Sequence, residues 1–151
     1  MADIVTNPKA RRDFHILDTY EAGLVLRGTE VKSLRAGRGQ IGDAFARVDA
    51  DEVWLFNAHI EEYSHGNLLN HAPKAPRKLL LRRQEIRKLA ELTRVKGNAL
   101  VPLALYWKEG KVKVRLGVGK GKLEFDKRED LKQREADLEM KRARMSRMKG
   151  R

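Results

Sequence analysis

The chain has 151 residues, a formal net charge of +12 and no cysteine. This length has room for one domain with an appendage, and the missing thiols exclude disulfides, thiolate metal sites and thiol catalysis. The positive charge favours a nucleic acid or an anionic membrane surface over an acidic small substrate as the partner. The longest apolar run, Ala99–Trp107, is too short to cross a membrane, so we expect a soluble, cytoplasmic protein.

The first part of the chain predicts two strands and a helix. Phe14–Leu17 and Glu21–Leu26 have the pattern of short strands on either side of a turn, with Gly23 at a bend or bulge. A short helix follows, for which Thr29 is the expected N-cap and Gly37 the expected C-cap.

The next part predicts a hairpin and a long loop. Ile41–Val48 and Glu52–Ile60 alternate as strands do, and Asp49–Asp51 between them is typical of a turn. Residues 61–76 have no clear period and contain histidine, asparagine, glycine and proline. Because long loops inside compact domains tend to be functional, we expect a role for this segment.

The second half predicts a strand at Arg77–Leu81, a helix at Gln84–Thr93, a central strand at Leu100–Trp107 and its antiparallel partner at Lys111–Val118. In the last of these, valines and a leucine alternate with basic residues. Together the elements predict a mainly β fold, a small antiparallel OB-like barrel of about six strands with two or three accessory helices, over residues 1–122.

Residues 123–151 predict a basic C-terminal tail. Leu131, Leu138 and Met145 recur every seven positions, but mostly charged residues separate them, and from Asp126 onward there is no aromatic residue. So narrow an apolar stripe does not offset the entropy cost of ordering the chain. We therefore expect this tail to be disordered when free and to become helical on a large anionic partner, with RNA as the favoured candidate.

The glycine-rich segment Gly117–Lys122 joins the two parts. It does not match the phosphate-binding loop, which needs Gly-Lys-Ser/Thr at a fixed distance after a first glycine. We interpret it as a flexible, basic hinge whose lysines meet phosphates, with a mere linker as the alternative.

No group of residues has the spacing of a catalytic site. Metal binding by His65, His71 and Glu62 is conceivable, but the spacing matches no known metal motif. Acidic pairs such as Asp49 and Asp51 lie in turns, where solvated surface charge is the ordinary interpretation. We therefore predict neither an enzyme nor a cofactor.

Aromatic residues are few, and most lie in the predicted strands. They either belong to the core or stack on bases, as aromatic residues of nucleic-acid-binding barrels do. They are Tyr20, Phe45, Trp54, Phe56, Tyr106 and Trp107.

Several motifs in order carry a resemblance to a known family. They are Glu21–Leu24, Gly28–Gly37, Arg77–Leu81, Leu105–Lys108, Gly119–Lys122 and Asp126–Arg128. From about Asn7 to the tail the chain closely resembles the small protein B family, the SsrA-binding proteins that bind transfer-messenger RNA (tmRNA) in bacterial trans-translation. It departs from the family's usual pattern at Pro8, Arg12, Ala72 and Ala75.

The resemblance implies an RNA-binding adaptor for ribosome rescue. Such a protein binds the tRNA-like domain of tmRNA as a monomer, away from membranes. It delivers alanine-charged tmRNA, in complex with elongation factor Tu, to ribosomes stalled on non-stop messages. Its tail enters the empty mRNA channel beside the decoding centre of the small subunit. On the residues alone, a general ribosome-associated or assembly RNA-binding protein remains the alternative.

The resemblance also implies which residues do this work. Family motifs place RNA binding at Glu21, Leu80 and Lys113. Basic side chains that would meet RNA phosphates accompany them, at Arg12, Lys32, Arg35, Arg77 and Lys78. Engagement of the ribosome and its decoding site falls on Lys120, Gly121, Lys122, Phe125, Asp126, Lys127 and Arg128.

Overall fold

The computed structural model of the chain describes residues 3–66, 69–122 and 132–143. Its strands are β1 (Asp3–Thr6), β2 (Phe14–Leu24), β3 (Gly39–Gln40), β4 (Phe45–Asp49), β5 (Glu52–Phe56), β6 (His59–Ile60), β7 (Arg77–Leu80), β8 (Asn98–Lys108) and β9 (Lys111–Gly121). The helices between them are α1 (Pro8–Asp13), α2 (Gly28–Arg35) and α3 (Arg83–Arg94).

Six of these strands close into an antiparallel ring. Neighbours follow in the order β8, β4, β5, β7, β2 and β9, and β9 pairs with β8 again. The strand β1 extends the sheet along β8, whereas β3 and β6 pair separately. The predicted fold class, a mainly β barrel of about six strands with accessory helices, is confirmed.

The interior of the ring is filled by aliphatic side chains. On β9, Val112, Val114, Leu116 and Val118 are buried, as the alternation predicts. Residues 100–106 of β8 are buried on both faces, as expected for a central strand. From outside, Leu34 of α2 and Leu89 of α3 are buried in the same core, so both helices are fixed against the barrel.

The strand β2 is one long element, not the two short strands predicted around a turn. The register between β2 and β9 shifts between Ile16 and Asp18, which marks a bulge. There the Asp18 carboxylate accepts hydrogen bonds from the Thr19 amide (3.0 Å) and the Tyr20 hydroxyl (2.8 Å). The polar residues that suggested a turn therefore lie within a continuous strand.

The helix α2 ends as predicted but begins differently. Gly37 has a φ of 72°, and the Arg38 amide donates to the Ser33 carbonyl (3.0 Å), a Schellman C-cap. At the other end, the Glu30 carboxylate accepts from the Arg27 amide (2.9 Å). The predicted N-cap, Thr29, is therefore wrong, and its hydroxyl instead contacts His71 Nδ1 at 2.9 Å.

The predicted hinge Gly117–Lys122 is also wrong for residues 117–121, which belong to β9. A Cβ atom on Gly119 would lie 2.7 Å from Cβ of Phe14, and one on Gly117 would lie 3.1 Å from Leu103. Because β2 and β8 pair with β9 on either side, these glycines permit close packing and do not loosen the backbone.

The chain divides into two compact units, Met1–Gly121 and Lys122–Arg151. In the second unit, residues 132–143 form a helix whose side chains are all exposed. Disorder of the free tail stays a prediction. Among the described residues, every helix is too short or too polar to cross a lipid bilayer.

Candidate nucleic-acid interface

Three strands meet side by side at Gly23. In the sheet register, Gly23 of β2 lies opposite Leu80 of β7 on one side and Lys113 of β9 on the other. A Cβ atom on Gly23 would lie only 3.2 Å from Cβ of Leu80. The glycine therefore lets Leu80 approach β2, and no bulge interrupts the pairing here. Leu80 and Lys113 thus flank one point of the outer surface.

Glu21 lies two residues along β2 from Gly23, so it projects from the same face. Its carboxylate accepts a hydrogen bond from the Tyr106 hydroxyl (2.7 Å) and contacts Lys108 Nζ through both oxygens (3.0 and 3.2 Å). These hydrogen bonds hold the pKa of Glu21 below its usual value. The group is therefore ionised at neutral pH and fixed in orientation.

Leu80 is an exposed apolar side chain at this site. It is 53 % exposed, whereas its neighbour Leu79 is 1 % exposed and belongs to the core. The alternation of β7 accounts for the difference, since Leu79 points into the barrel and Leu80 out of it. An exposed leucine between charged groups can pack on a base or a ribose.

An open cleft of about 480 Å³ joins these residues. It is lined by Glu21, Gly23, Leu80, Leu81, Arg82, Glu85 and Lys113. The three residues that the resemblance implies for RNA binding, Glu21, Leu80 and Lys113, therefore share one concave surface. We call this surface the β2 cleft.

Basic residues of α2 and β7 are exposed or half-buried on the same unit. Lys32 lies over the ring of Tyr63 (5.3 Å to its centroid), and Arg35 lies over Trp107 (6.0 Å). Lys78 is half-buried and contacts Glu52 Oε1 at 3.4 Å. Cation–π contacts at the surface and solvent-accessible ion pairs both cost little to break, so these cations remain available to phosphates.

Arg77 is a correction to the predicted RNA-binding set. It is 3 % exposed and pairs in the interior with Glu30, which is 4 % exposed. It also donates to the carbonyls of Ala58 (2.7 Å) and Pro73 (2.9 Å). Because β7 turns residue 77 inward, Arg77 holds the protein together and does not face a ligand.

Arg12, Lys120 and Gly121 lie at the other end of the β2–β9 ladder. Phe14, close to Arg12, pairs with Gly121, and Lys120 pairs with His15. Gly23 lies nine positions after Phe14 along β2, a strand length of roughly 30 Å at about 3.3 Å per residue. Arg12 is thus remote from the β2 cleft, contrary to its grouping with Glu21, and lies at the end of the unit from which Lys122 continues.

The rest of the predicted ribosome-engaging set lies outside the described residues. This set comprises Phe125, Asp126, Lys127 and Arg128. Two other members of the set are described: Lys120 is exposed near the end of β9, and Lys122 is the first residue after this strand.

Sequence reasoning missed Tyr106 and Lys108 as part of the site. The sequence indicates Tyr106 only as a core or stacking residue, whereas its hydroxyl reaches Glu21 across the sheet. The alternation in β8 gives a weak signal for Lys108, because it places residues 106 and 108 on the same face. Glu21 meets Tyr106 and Lys108 only because the barrel closes, and a local sequence pattern cannot predict such a long-range contact.

The conceivable metal site is not formed. Both ring nitrogens of His71 have other contacts, Nδ1 with the Thr29 hydroxyl and Nε2 with the Ile60 carbonyl, each at 2.9 Å. Since a carbonyl only accepts, Nε2 carries a proton and is not a free ligand. Within the part of the chain that the structure describes, no group of three His, Asp or Glu could hold a metal ion.

Comparison with known proteins gives consistent matches along the chain. Residues 4–146 match the family described as SmpB protein. An SsrA-binding protein of Thermobifida fusca is 58 % identical, with 93 % of this chain and 88 % of the relative covered. Another, of Geobacillus sp. (strain WCH70), is 55 % identical, with 97 % and 94 % covered.

A solved structure also matches. Its chain is 46 % identical with a TM-score of 0.69, and the match covers 82 % of this chain and 87 % of that one. That structure is described as "tmRNA-SmpB: a journey to the center of the bacterial ribosome".

Proposed function

Because the chain belongs to the SmpB family, we propose that it is an RNA-binding adaptor of trans-translation. In this proposal it binds the tRNA-like domain of tmRNA and brings alanine-charged tmRNA, with elongation factor Tu, to stalled ribosomes in the cytoplasm. The observation that carries the proposal is the β2 cleft, where Glu21, Leu80 and Lys113 lie on one outer face of the barrel. It acts by binding and not as an enzyme.

The chemistry of the cleft supports RNA over other anions. Lys113 and the neighbouring Arg115 supply positive charge for phosphates, and Leu80 supplies an apolar contact. The ionised carboxylate of Glu21 would repel a simple anion, but it can accept hydrogen bonds from the N–H groups of a base. A surface with all three features fits a folded RNA with unpaired bases.

The proposal assigns a second role to the far end of the barrel. Lys120 and Gly121 end β9 on the side away from the β2 cleft, and Lys122 and residues 123–151 follow in the sequence. We assign ribosome engagement to this end, with Phe125, Asp126, Lys127 and Arg128 at the decoding site and the rest of the tail as a helix in the empty mRNA channel. A filled channel would leave the tail no site, which would restrict rescue to stalled ribosomes.

The exposed helix 132–143 supports this division. It has no buried face, and Leu138 and Met140 are 52 % and 62 % exposed. A helix without a buried apolar face is only marginally stable in solution. Contacts with a partner that encloses it would stabilise it further.

The test is a reconstituted rescue reaction on ribosomes stalled at the end of a non-stop message. The full chain is compared with a chain ending at residue 122, which keeps all of the barrel core. We expect the short chain to bind tmRNA with unchanged affinity and to lose nascent-chain tagging. Loss of tmRNA binding together with tagging would refute the division of labour. Binding to ribosomes with equal affinity in the absence of tmRNA would favour a general ribosome-associated protein.

A further inference from the structure

We infer that Glu21 recognises the Watson–Crick edge of an unpaired guanine in the bound RNA. Tyr106 positions the carboxylate of Glu21, and Lys108 occupies the place of the base in the free protein. This inference rests on the proposed function, since it names the base that the β2 cleft reads.

The carboxylate of Glu21 is held by two different kinds of partner. Tyr106 is buried and donates its hydroxyl to Oε2 at 2.7 Å, so it is a fixed support. The Lys108 ammonium lies across both oxygens, at 3.0 and 3.2 Å, on a side chain that is 41 % exposed. The first partner orients the group, and the second occupies the space that faces both oxygens.

The charge of the surroundings argues for a base as the ligand of Glu21. Lys113 and Lys108 both act on the carboxylate electrostatically, and Arg115 lies opposite Glu21 on β9. Positive charge for phosphates is therefore already present at the cleft. An acid in such a place weakens phosphate binding, and hydrogen bonds that it accepts from a base of the ligand would offset this loss of affinity.

Among the bases, guanine matches two carboxylate oxygens. Its Watson–Crick edge presents two adjacent donors, N1–H and the N2 amino group. Adenine presents one donor beside one acceptor, cytosine presents one donor beside two acceptors, and uracil presents one donor between two carbonyls. Recognition of splayed-out bases on this edge is usual for proteins that bind single-stranded parts of RNA.

Lys108 holds the place that the guanine takes. An exposed ion pair contributes little stability, so the ammonium can leave the carboxylate for a nearby phosphate when the base arrives. Tyr106 remains and keeps Oε2 in position. Leu80, across Gly23 from Lys113, then offers an apolar surface to the ring of the base.

The test is an inosine scan of the tRNA-like domain of tmRNA. Each unpaired guanine is replaced in turn by inosine, which lacks the N2 amino group and keeps N1–H. Affinity is measured with the full-length wild-type chain, with Glu21→Gln and with the control Glu91→Gln, an exposed acid on α3. At one position we expect inosine to weaken wild-type binding about tenfold, to weaken Glu91→Gln equally and to leave Glu21→Gln unchanged.

Two results would overturn the inference. One is a wild-type chain that binds tmRNA tightly and selectively but is insensitive to inosine at every position. The other is a sensitive position at which Glu21→Gln loses as much affinity as the wild type. Failure of the proposed function looks different, because the chain would then bind unrelated tRNA as well as tmRNA.

The positioning role has its own readout. With Tyr106→Phe we expect the guanine-over-inosine preference to shrink and the pKa of Glu21, measured by carboxyl NMR titration, to rise, because the hydrogen bond that lowers it most is removed. With Lys108→Met we expect the preference to persist while overall affinity falls. An unchanged preference and an unchanged pKa in Tyr106→Phe would contradict the role of Tyr106.

Discussion

Glu30 of α2 and Arg77 of β7 form an ion pair inside the protein, with 4 % and 3 % of their surfaces exposed. Through Arg77 the pair also reaches the carbonyls of Ala58 and Pro73. It therefore joins a helix, a strand, the segment just before β6 and the C-terminal part of the loop over residues 61–76. The long loop is tied to the barrel by an arginine that sequence analysis assigned to RNA.

Replacement of Arg77 should act on stability. In Arg77→Met the Glu30 carboxylate stays buried without its partner, so we expect a loss of about 3–5 kcal/mol in the free energy of unfolding. Denaturant titration measures this, with Lys78→Met on the same strand as the control. A stable Arg77→Met protein with weakened tmRNA binding would contradict this account of Arg77.

The pair Leu79 and Leu80 separates folding from binding. We expect Leu79→Ala to lose about 2–5 kcal/mol of stability because Leu79 is in the core. Leu80→Ala should change the free energy of unfolding by about 0.5 kcal/mol or less. It should lower tmRNA affinity roughly fivefold, because an apolar contact of this size contributes about 1 kcal/mol to binding. Thermal unfolding and filter binding measure the two effects. Unchanged affinity in Leu80→Ala would remove Leu80 from the interface.

Gly119 tests whether the glycine-rich segment is a strand or a hinge. A methyl group there meets Cβ of Phe14 at 2.7 Å, so we expect Gly119→Ala to cost about 1–3 kcal/mol. Gly28→Ala is the matched control, because a methyl group at residue 28 would have no neighbouring atom within 4 Å. A hinge would instead tolerate Gly119→Ala with no loss of stability.

Tyr106 should reveal its contact with Glu21 on alkaline titration. Burial and then the hydrogen bond to Glu21 raise its pKa to about 12. This folded-state pKa of Tyr106 lies above the ordinary value of 10.0. The protonated hydroxyl therefore contributes fully to the stability of the fold below pH 10.0, and this contribution is lost as the pH rises towards about 12. Ultraviolet titration of tyrosinate should show an earlier transition in Glu21→Gln. An unchanged profile would contradict the contact.

The elements with long apolar alternation were predictable, and those fixed by tertiary contacts were not. Val112 to Val118 on β9 and the apolar run of β8 indicate their strands directly. The helix α1 has only six residues, and what holds it is Asn7, whose amide donates to the carbonyls of Ile41 (3.1 Å) and Pro102 (2.8 Å). Such a contact, made across 95 residues of sequence, leaves no local pattern.

The candidate site follows the same rule. Family motifs name Glu21, Leu80 and Lys113, and the barrel brings them together. The same motifs place Arg77 beside Lys78, but only the alternation of β7 tells which of the two faces outward. From its charge, Arg77 was predicted to contact RNA phosphates. Its burial against Glu30 shows that it has a structural role.

We propose that the barrel, through the β2 cleft, recognises tmRNA by more than charge. The most direct test is a salt series of binding to tmRNA and to an unrelated tRNA of equal length, with the full chain and with a chain ending at residue 122. We predict a strong preference for tmRNA in both proteins at every salt concentration. Equal binding to the two RNAs, with a salt dependence that becomes shallower on truncation, would contradict the claim and indicate a general basic RNA-binding protein.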